Sequence, residues 1–189
     1  MKEYLLKELN QIWTDLKKVH PVLKSILLFI LLVTPISAIS LIWQIKDAEL
    51  LEASKDMTLK SPFWPAVYHG SVKAPIIEEL TFRGPAYVLL LTLLLISYLY
   101  SKKTGKPSTL QMTVWPGWTV AELIVWPMLL LLNYFWAIDH PYPATVFAAG
   151  LVLGWLMLKT KNILYCIVLH AGVNFVVIAA SRVGTKLLS

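Results

Sequence analysis

Long apolar runs separated by short polar segments dominate this sequence, and the runs show no alternation of polar and apolar residues. An apolar helix needs about 20 residues to cross the hydrocarbon core of a bilayer. Backbone amides at that depth must pair within their own segment, so the runs are expected to be helices, since the strands of a barrel would alternate. The pattern predicts five membrane spans, at Val22–Ile45, Pro75–Tyr100, Pro116–Ile138, Ala144–Leu158 and Ile163–Ala180.

Two shorter segments precede the first and second spans. In Met1–His20, apolar residues recur at helical spacing with lysines between them, which favours a helix on the inner membrane surface; a soluble helical lead-in is the alternative. Pro62–Gly70 is rich in aromatic residues and prolines, as expected of a short interfacial or re-entrant element. With no repeat and no long linker, we predict an all-α transmembrane bundle, with an amphipathic cytoplasmic segment at 1–21 and a single membrane domain at 22–189.

Composition and charge agree with an integral membrane protein. Hydrophobic residues make up 57% of the chain and the mean hydropathy is +0.65, which a solvated globular surface does not tolerate. The net charge of +6 does not indicate nucleic acid, because the lysines flank the spans instead of forming one basic stripe. The positive-inside rule predicts a cytoplasmic N-terminus and puts the Asp139–Pro141 corner and the C-terminus on the opposite side, despite Arg182 and Lys186 there. The lysines that define the cytoplasmic segments are Lys2, Lys7, Lys17, Lys18, Lys102, Lys103, Lys106, Lys159 and Lys161.

Three ionisable residues stand near the start of the second predicted span. A charged residue at a helix centre costs about 2.5 to 3.5 kcal/mol, so charges inside spans indicate function or a required partner. Glu79 and Arg83 are four residues apart and share a helix face, where they are expected to pair. Glu78 points elsewhere and is left for another partner. The alternative is that all three only tie helices together.

Two histidines and an asparagine supply further polar groups. His170 and Asn174 are four residues apart in the fifth span, and so lie on one helix face about 6 Å apart along the axis. His140 lies at the corner after the third span, on the same predicted side as the start of the second. Each histidine could instead be an interhelical hydrogen-bonding group. Convergence of these groups with Glu78 predicts one site.

The chemistry of this set is that of amide hydrolysis without a covalent nucleophile. A carboxylate beside an imidazole can take a proton from water, and histidine and asparagine can donate to the oxyanion of a tetrahedral intermediate. No G-x-S-x-G motif supports serine catalysis. Zinc is the alternative, because Glu78, His140 and His170 would provide one oxygen and two nitrogen ligands, although the spacing is not H-E-x-x-H.

Four segments in order resemble the CPBP family of intramembrane peptidases, which contains the CAAX prenyl endopeptidases and the bacterial Abi proteins. The resemblance covers about Pro75 to Ala180, and Trp136 stands where members of the family often carry phenylalanine. The segments are Glu78-Glu79-Leu-Thr-Phe-Arg83-Gly84, Trp136-x-x-x-His140, Leu-Gly154-Trp-Leu-Met-Leu-Lys-Thr and His170-Ala-Gly-Val-Asn174.

The resemblance implies a glutamate-type peptidase that needs no metal. Glu78 and His140 would activate the attacking water, His170 and Asn174 would form the oxyanion site, and Glu79 with Arg83 would support them. The expected substrate is a membrane-anchored protein or peptide undergoing maturation or surface sorting, cleaved toward the non-cytoplasmic leaflet of a prokaryotic plasma membrane. A prenylated CAAX tail would lie on the opposite side. The alternative function is a non-catalytic scaffold or bacteriocin-immunity protein of the same fold.

Overall fold

The computed structural model describes residues 20–36, 39, 61–115 and 117–188, and it confirms a mostly helical membrane bundle. Four helices in this part of the chain are long and apolar enough to cross a membrane, at Gly84–Thr104, Val120–Ile138, Pro143–Thr160 and Leu164–Val183. The predicted amphipathic helix at 1–20 lies outside the described residues except for His20.

The first predicted span is described only in its first half. Helix α1, Pro21–Leu28, begins at His20, whose Nδ1 accepts from the amide of Val22, and it continues into a π-helical stretch at Phe29–Val33. Proline at the first helical position suits this start, because its missing N–H would have no partner there. The apolar helix extends to Ile36, and the rest of the predicted span lies outside the described residues.

The second predicted span consists of two helices, and a shorter helix precedes them. Helix α2, Phe63–Val67, passes through a π-helical segment, Tyr68–Lys73, into α3, Ala74–Phe82; the predicted interfacial element is thus joined to the helix that carries the glutamates. Helix α4, Gly84–Thr104, then starts after a break at Arg83, where φ is −112° and ψ is −22°.

The break in the second span has a local cause. Pro85 has no amide hydrogen, and its ring crowds the carbonyl one turn earlier, while Gly84 is a weak helix former. The prediction of one helix from Pro75 to Tyr100 was therefore wrong, although Gly84–Thr104 is itself long enough to span.

The lysine-rich end of the bundle contains a small hairpin that the sequence pattern did not predict. After a 3₁₀ turn at Thr109–Gln111, strand β1, Thr113–Trp115, pairs antiparallel with β2, Trp118–Thr119. Gly117 has φ +86° in the connecting turn, a conformation that favours glycine. Helix α5, Val120–Ile138, begins after this hairpin and not at Pro116 as predicted.

Charged side chains stabilise the lysine-rich end of the bundle. Thr119 and Glu122 form a capping box at the start of α5, with Glu122 Oε2 accepting from the Thr119 amide at 2.8 Å. Lys159 Nζ lies 3.1 Å from Glu122 Oε2 and 3.6 Å from the centroid of the Trp118 ring, and Lys161 pairs with Glu122 Oε1. We call Glu122, Lys159 and Lys161 the lysine-end cluster.

The last two helices complete the bundle. Helix α6, Pro143–Thr160, extends the fourth predicted span slightly at both ends, whereas helix α7, Leu164–Leu188, begins one residue after the predicted start of the fifth and continues well past its predicted end at Ala180. In the spans formed by α5 and α6, 39% of residues are buried, against 17% for α4 and for Leu164–Val183. Helices α5 and α6 therefore form the centre of the bundle, and a buried apolar core lies along them that includes Val125, Leu129, Leu153, Leu156 and Met157.

Candidate active site

Glu79 and Arg83 form a buried ion pair at the break between α3 and α4. The Glu79 side chain is fully buried, Arg83 is 2% exposed, and Arg83 Nη1 lies 2.8 Å from Glu79 Oε1. The same Oε1 atom lies 2.8 Å from Nδ1 of His170 on α7. One carboxylate therefore links the helix break to the helix that carries His170.

Arg83 is held from its other side by α5 and α6. Its Nη2 donates to Asn133 Oδ1 at 3.3 Å, and Asn133 Nδ2 donates to the carbonyl of Phe147 at 2.8 Å. A Cβ placed on Gly150 would lie 1.5 Å from Asn133 Oδ1 and 2.8 Å from Arg83 Nη2. Only glycine leaves the space that this buried polar chain occupies, and the chain ties three helices together.

Glu78 faces a different set of groups. Its Oε2 accepts a hydrogen bond from Trp136 Nε1 at 2.9 Å, and it lies 4.0 Å from His140 Nε2 and 3.8 Å from His170 Nε2. The Glu78 side chain is 24% exposed, unlike that of Glu79. The structure thus brings Glu78, His140 and His170 together, and it leaves the carboxylate of Glu78 open to a small molecule.

The two histidines present the same nitrogen to Glu78. His140 Nδ1 lies 2.6 Å from the carbonyl oxygen of Trp136, and because a carbonyl only accepts, this nitrogen carries the hydrogen. His170 Nδ1 is paired with Glu79, which as a carboxylate also only accepts. Both Nε2 atoms therefore remain on the side that faces Glu78 Oε2. A water bound there could reach Glu78 Oε2 and His140 Nε2 with two ordinary hydrogen bonds of about 2.8 Å.

Asn174 lies one turn after His170, and its hydrogen bond joins it to the neighbouring π-helical segment. Asn174 Nδ2 donates to the carbonyl of Gly70 at 2.8 Å. A Cβ on Gly70 would lie 2.9 Å from Ile178 Cδ1, so α7 packs closely against this segment. Asn174 is placed on the predicted face of α7, with its amide turned to Gly70.

The predicted zinc ligands present the right kinds of atom at separations longer than those around a tetrahedral zinc ion. Histidines that bind a metal through Nε2 usually donate from Nδ1 to an oxygen, and His140 and His170 both do so. Ligand atoms on tetrahedral zinc lie about 3.4 Å apart, however, and the two Oε2 to Nε2 distances here are longer. Within the described ranges, no three histidine, cysteine, aspartate or glutamate side chains meet the distances of a metal site.

Three residues of the site were missed by the sequence reasoning. Trp136 lies near the end of the predicted third span, where a tryptophan is commonly a headgroup anchor, but it is 3% exposed and bonds to Glu78. Its spacing of one helical turn before His140 was the available signal. Asn133 could have been noticed as a buried amide in an apolar run, whereas nothing in the sequence marked Gly150.

Comparison with known families identifies the matching part of the chain. The family model described as type II CAAX prenyl endopeptidase Rce1-like matches residues 60–176. This is more than half of the 189 residues, and it includes all six residues predicted for the site. Comparisons with curated proteins and with solved structures gave no match.

Proposed function

Because the chain belongs to the type II CAAX prenyl endopeptidase Rce1-like family, we propose that it is an intramembrane endopeptidase that hydrolyses a peptide bond with water activated by Glu78 and His140. The observation that carries this proposal is the placement of Glu78 Oε2 within 4.0 Å of two imidazole nitrogens, in a part of the bundle where the carboxylate is still 24% exposed. Carboxylate and imidazole are both proton acceptors that suit this step.

The reaction follows from the positions of these acceptors. Water bound between Glu78 and His140 transfers a proton to this pair as its oxygen attacks the carbonyl carbon of the substrate. The carbonyl becomes an oxyanion, and collapse of the intermediate returns the proton to the departing amine, so that a carboxyl and an amine are formed. No covalent intermediate and no redox partner is needed.

The oxyanion is stabilised by donors from α7. His170 lies between the carboxylates of Glu78 and Glu79, and Arg83 balances only one of these charges. To donate to the oxyanion, His170 must carry a hydrogen on Nε2 as well as the one on Nδ1, and that positive charge would balance the second carboxylate. Asn174, one turn later, supplies the second donor when its amide turns from Gly70 to the substrate.

The substrate that suits this site is a membrane-associated protein or peptide. Glu78 lies in α3 and His140 follows the C-terminal end of α5, whereas Lys102, Lys103 and the lysine-end cluster lie at the other end of the bundle. In the proposed orientation the lysine end is cytoplasmic, with the N-terminus, and the site faces the non-cytoplasmic leaflet of a prokaryotic plasma membrane. A reporter fused after Lys103 should give a cytoplasmic signal; the opposite signal would reverse the orientation and favour a cytoplasmic substrate tail.

Substitution of the proposed base tests the activity. Glu78→Gln keeps the shape and removes the proton acceptor, so cleavage should fall about 10²- to 10⁴-fold. The measurement is mass spectrometry of membrane proteins from cells that carry either form, with Glu122→Gln as a matched carboxylate control. Unchanged processing in Glu78→Gln, with the protein inserted and folded, would favour the scaffold or immunity alternative.

Removal of metals tests the metal-free form of the proposal. If zinc were bound, Glu78, His140 and His170 would hold it, and it would polarise the water and the substrate carbonyl. We expect purified enzyme treated with 1,10-phenanthroline to keep its rate. Loss of activity that only added zinc restores would support the zinc-dependent version instead.

A further inference from the structure

Trp136 contacts the site through three of its parts. Its indole Nε1 donates to Glu78 Oε2 at 2.9 Å, and its backbone carbonyl accepts from His140 Nδ1 at 2.6 Å. Its ring lies 4.3 Å from Arg83 Cζ, in the geometry of a cation–π contact. One residue of α5 therefore contacts Glu78, His140 and the ion pair that supports His170.

The ring also fills the space between the two histidines. Its centroid lies 5.4 Å from that of His140 and 5.5 Å from that of His170, in both cases edge to face. Trp136 is 3% exposed, so its indole N–H requires a buried acceptor, and Glu78 provides it. A phenylalanine would keep the ring packing but would offer no donor to the carboxylate.

We infer that Trp136 is a positioning residue that holds Glu78 Oε2 between the Nε2 atoms of His140 and His170. This inference rests on the proposed function, since it assumes that Glu78 is the base. The indole is rigid and donates a single hydrogen bond, so it fixes one carboxylate oxygen and leaves that oxygen's remaining lone pair for water. Without the donor, Glu78 can rotate away from the histidines, and the reactive geometry becomes a minor population.

The direct test replaces only the N–H group. β-(3-benzothienyl)alanine, in which sulfur takes the place of the indole N–H, is encoded at position 136, and Trp136→Phe is made in parallel. The probe is a quenched fluorescent peptide with an apolar N-terminal anchor, chosen because the wild-type enzyme cleaves it in proteoliposomes. We expect kcat to fall about 10- to 100-fold in both variants, the loss that corresponds to one hydrogen bond to a charged group, while KM changes less than about twofold.

A purely structural role gives a different result. Loss of packing would lower the thermal midpoint of Trp136→Phe or raise KM, and the benzothienyl variant, which keeps the shape, would then cleave at the wild-type rate. Trp126→Phe, on the same helix and packed against Trp118 at 5.5 Å, serves as the matched control and should retain full kcat. A wild-type kcat in the benzothienyl variant overturns the inference.

The Glu78→Gln background separates this inference from the proposed function. If Glu78→Gln is inactive and the benzothienyl variant is fully active, the base stands and the positioning role of Trp136 fails. If Glu78→Gln retains activity, the proposed function itself fails. If both the proposed base and the positioning role are right, Trp136→Phe should lower the residual activity of Glu78→Gln no further, because the indole donor acts through the Glu78 carboxylate.

Discussion

Glu78 and Glu122 are both carboxylates placed in the membrane bundle, and their surroundings differ. Glu122 has a side chain only 5% exposed, accepts from the amide of Thr119, and pairs with Lys159 and Lys161. Glu78 is 24% exposed and accepts one indole N–H, with two histidine nitrogens about 4 Å away. A carboxylate whose oxygens are all engaged holds helices together, whereas one with unused acceptor capacity beside imidazoles is available for chemistry.

Glu79 shows that burial also separates neighbouring carboxylates. It is one residue from Glu78, yet it is fully buried and its Oε1 is engaged by Arg83 and His170. Its Oε2 is buried without a hydrogen-bond partner among the described residues, so Glu79 resembles Glu122 in burial and ion pairing but not in having both oxygens engaged. The helical rotation between consecutive residues, and not their distance in the chain, separates the buried carboxylate from the partly exposed one.

The strongest test of this distinction is Glu79→Gln. The substitution leaves the Arg83 guanidinium buried without its counter-charge, and breaking a buried pair in this way costs about 3 to 5 kcal/mol. We expect a large drop in the thermal midpoint in detergent together with loss of cleavage. If Glu79→Gln folds normally and loses only activity, then Glu79 acts in the chemistry and the comparison is wrong.

A second test enlarges Gly150, where a Cβ would lie 1.5 Å from Asn133 Oδ1. Gly150→Ala must displace Asn133 and with it Arg83, at about 1 to 3 kcal/mol, the range of an overpacked core. The measurement is the thermal midpoint and the cleavage rate of the same preparation. Gly172→Ala is the matched control, because nothing lies within 4 Å of its added Cβ, and it should stay within about 1 kcal/mol of wild type. Equal behaviour of the two variants would show that the chain from Arg83 to Asn133 adapts freely.

A smaller effect is expected for Glu122→Gln at the lysine-end cluster. Glutamine still accepts from Thr119 in the capping box, so only the charge facing Lys159 and Lys161 is lost. We expect a loss of about 1 to 2 kcal/mol in unfolding free energy, measured by titration with SDS in mixed micelles, and an unchanged kcat. A fall in kcat without a fall in stability would give Glu122 a role that its contacts do not explain.

The smallest effect is expected for Lys161→Met. This lysine is 33% exposed, so solvent screens its pair with Glu122, and Lys159 remains to balance the carboxylate. Removal should cost about 0.2 to 1 kcal/mol in the same SDS titration. A loss as large as that of Glu122→Gln would mean that Lys161, and not Lys159, carries the pairing.

The sequence predicted those features that depend on local spacing. Run length and hydropathy located the membrane-spanning helices, because crossing a bilayer sets a minimum length for each. Four-residue spacing placed Glu79 with Arg83, and His170 with Asn174, on shared helix faces. The hairpin before α5 was missed because its second strand, Trp118–Thr119, falls within the predicted span that starts at Pro116, and its first strand is only three residues long. The break at Arg83 was missed because Gly84 and Pro85 lead directly into a long apolar run.

Contacts between helices were harder to predict. That Trp136 bonds to Glu78, and that Asn133 bonds to Arg83 fifty residues away in the chain, depend on how α3 and α5 pack. An indole at the end of a span is a common headgroup anchor, so its burial is evident only from the packed bundle. The same holds for Gly150, whose importance lies entirely in what faces it.

The space at Gly150 also limits how this sequence can change over time. A larger residue there is excluded as long as Asn133 reaches Arg83, so position 150 can grow only if position 133 first becomes shorter. A sequence in which position 133 has become shorter while position 150 is still glycine would leave the Arg83 guanidinium without one of its acceptors. Relatives of this protein should therefore carry either glycine at 150 with an amide at 133 or a coupled replacement of both, and an alignment of such relatives would show the two columns varying together.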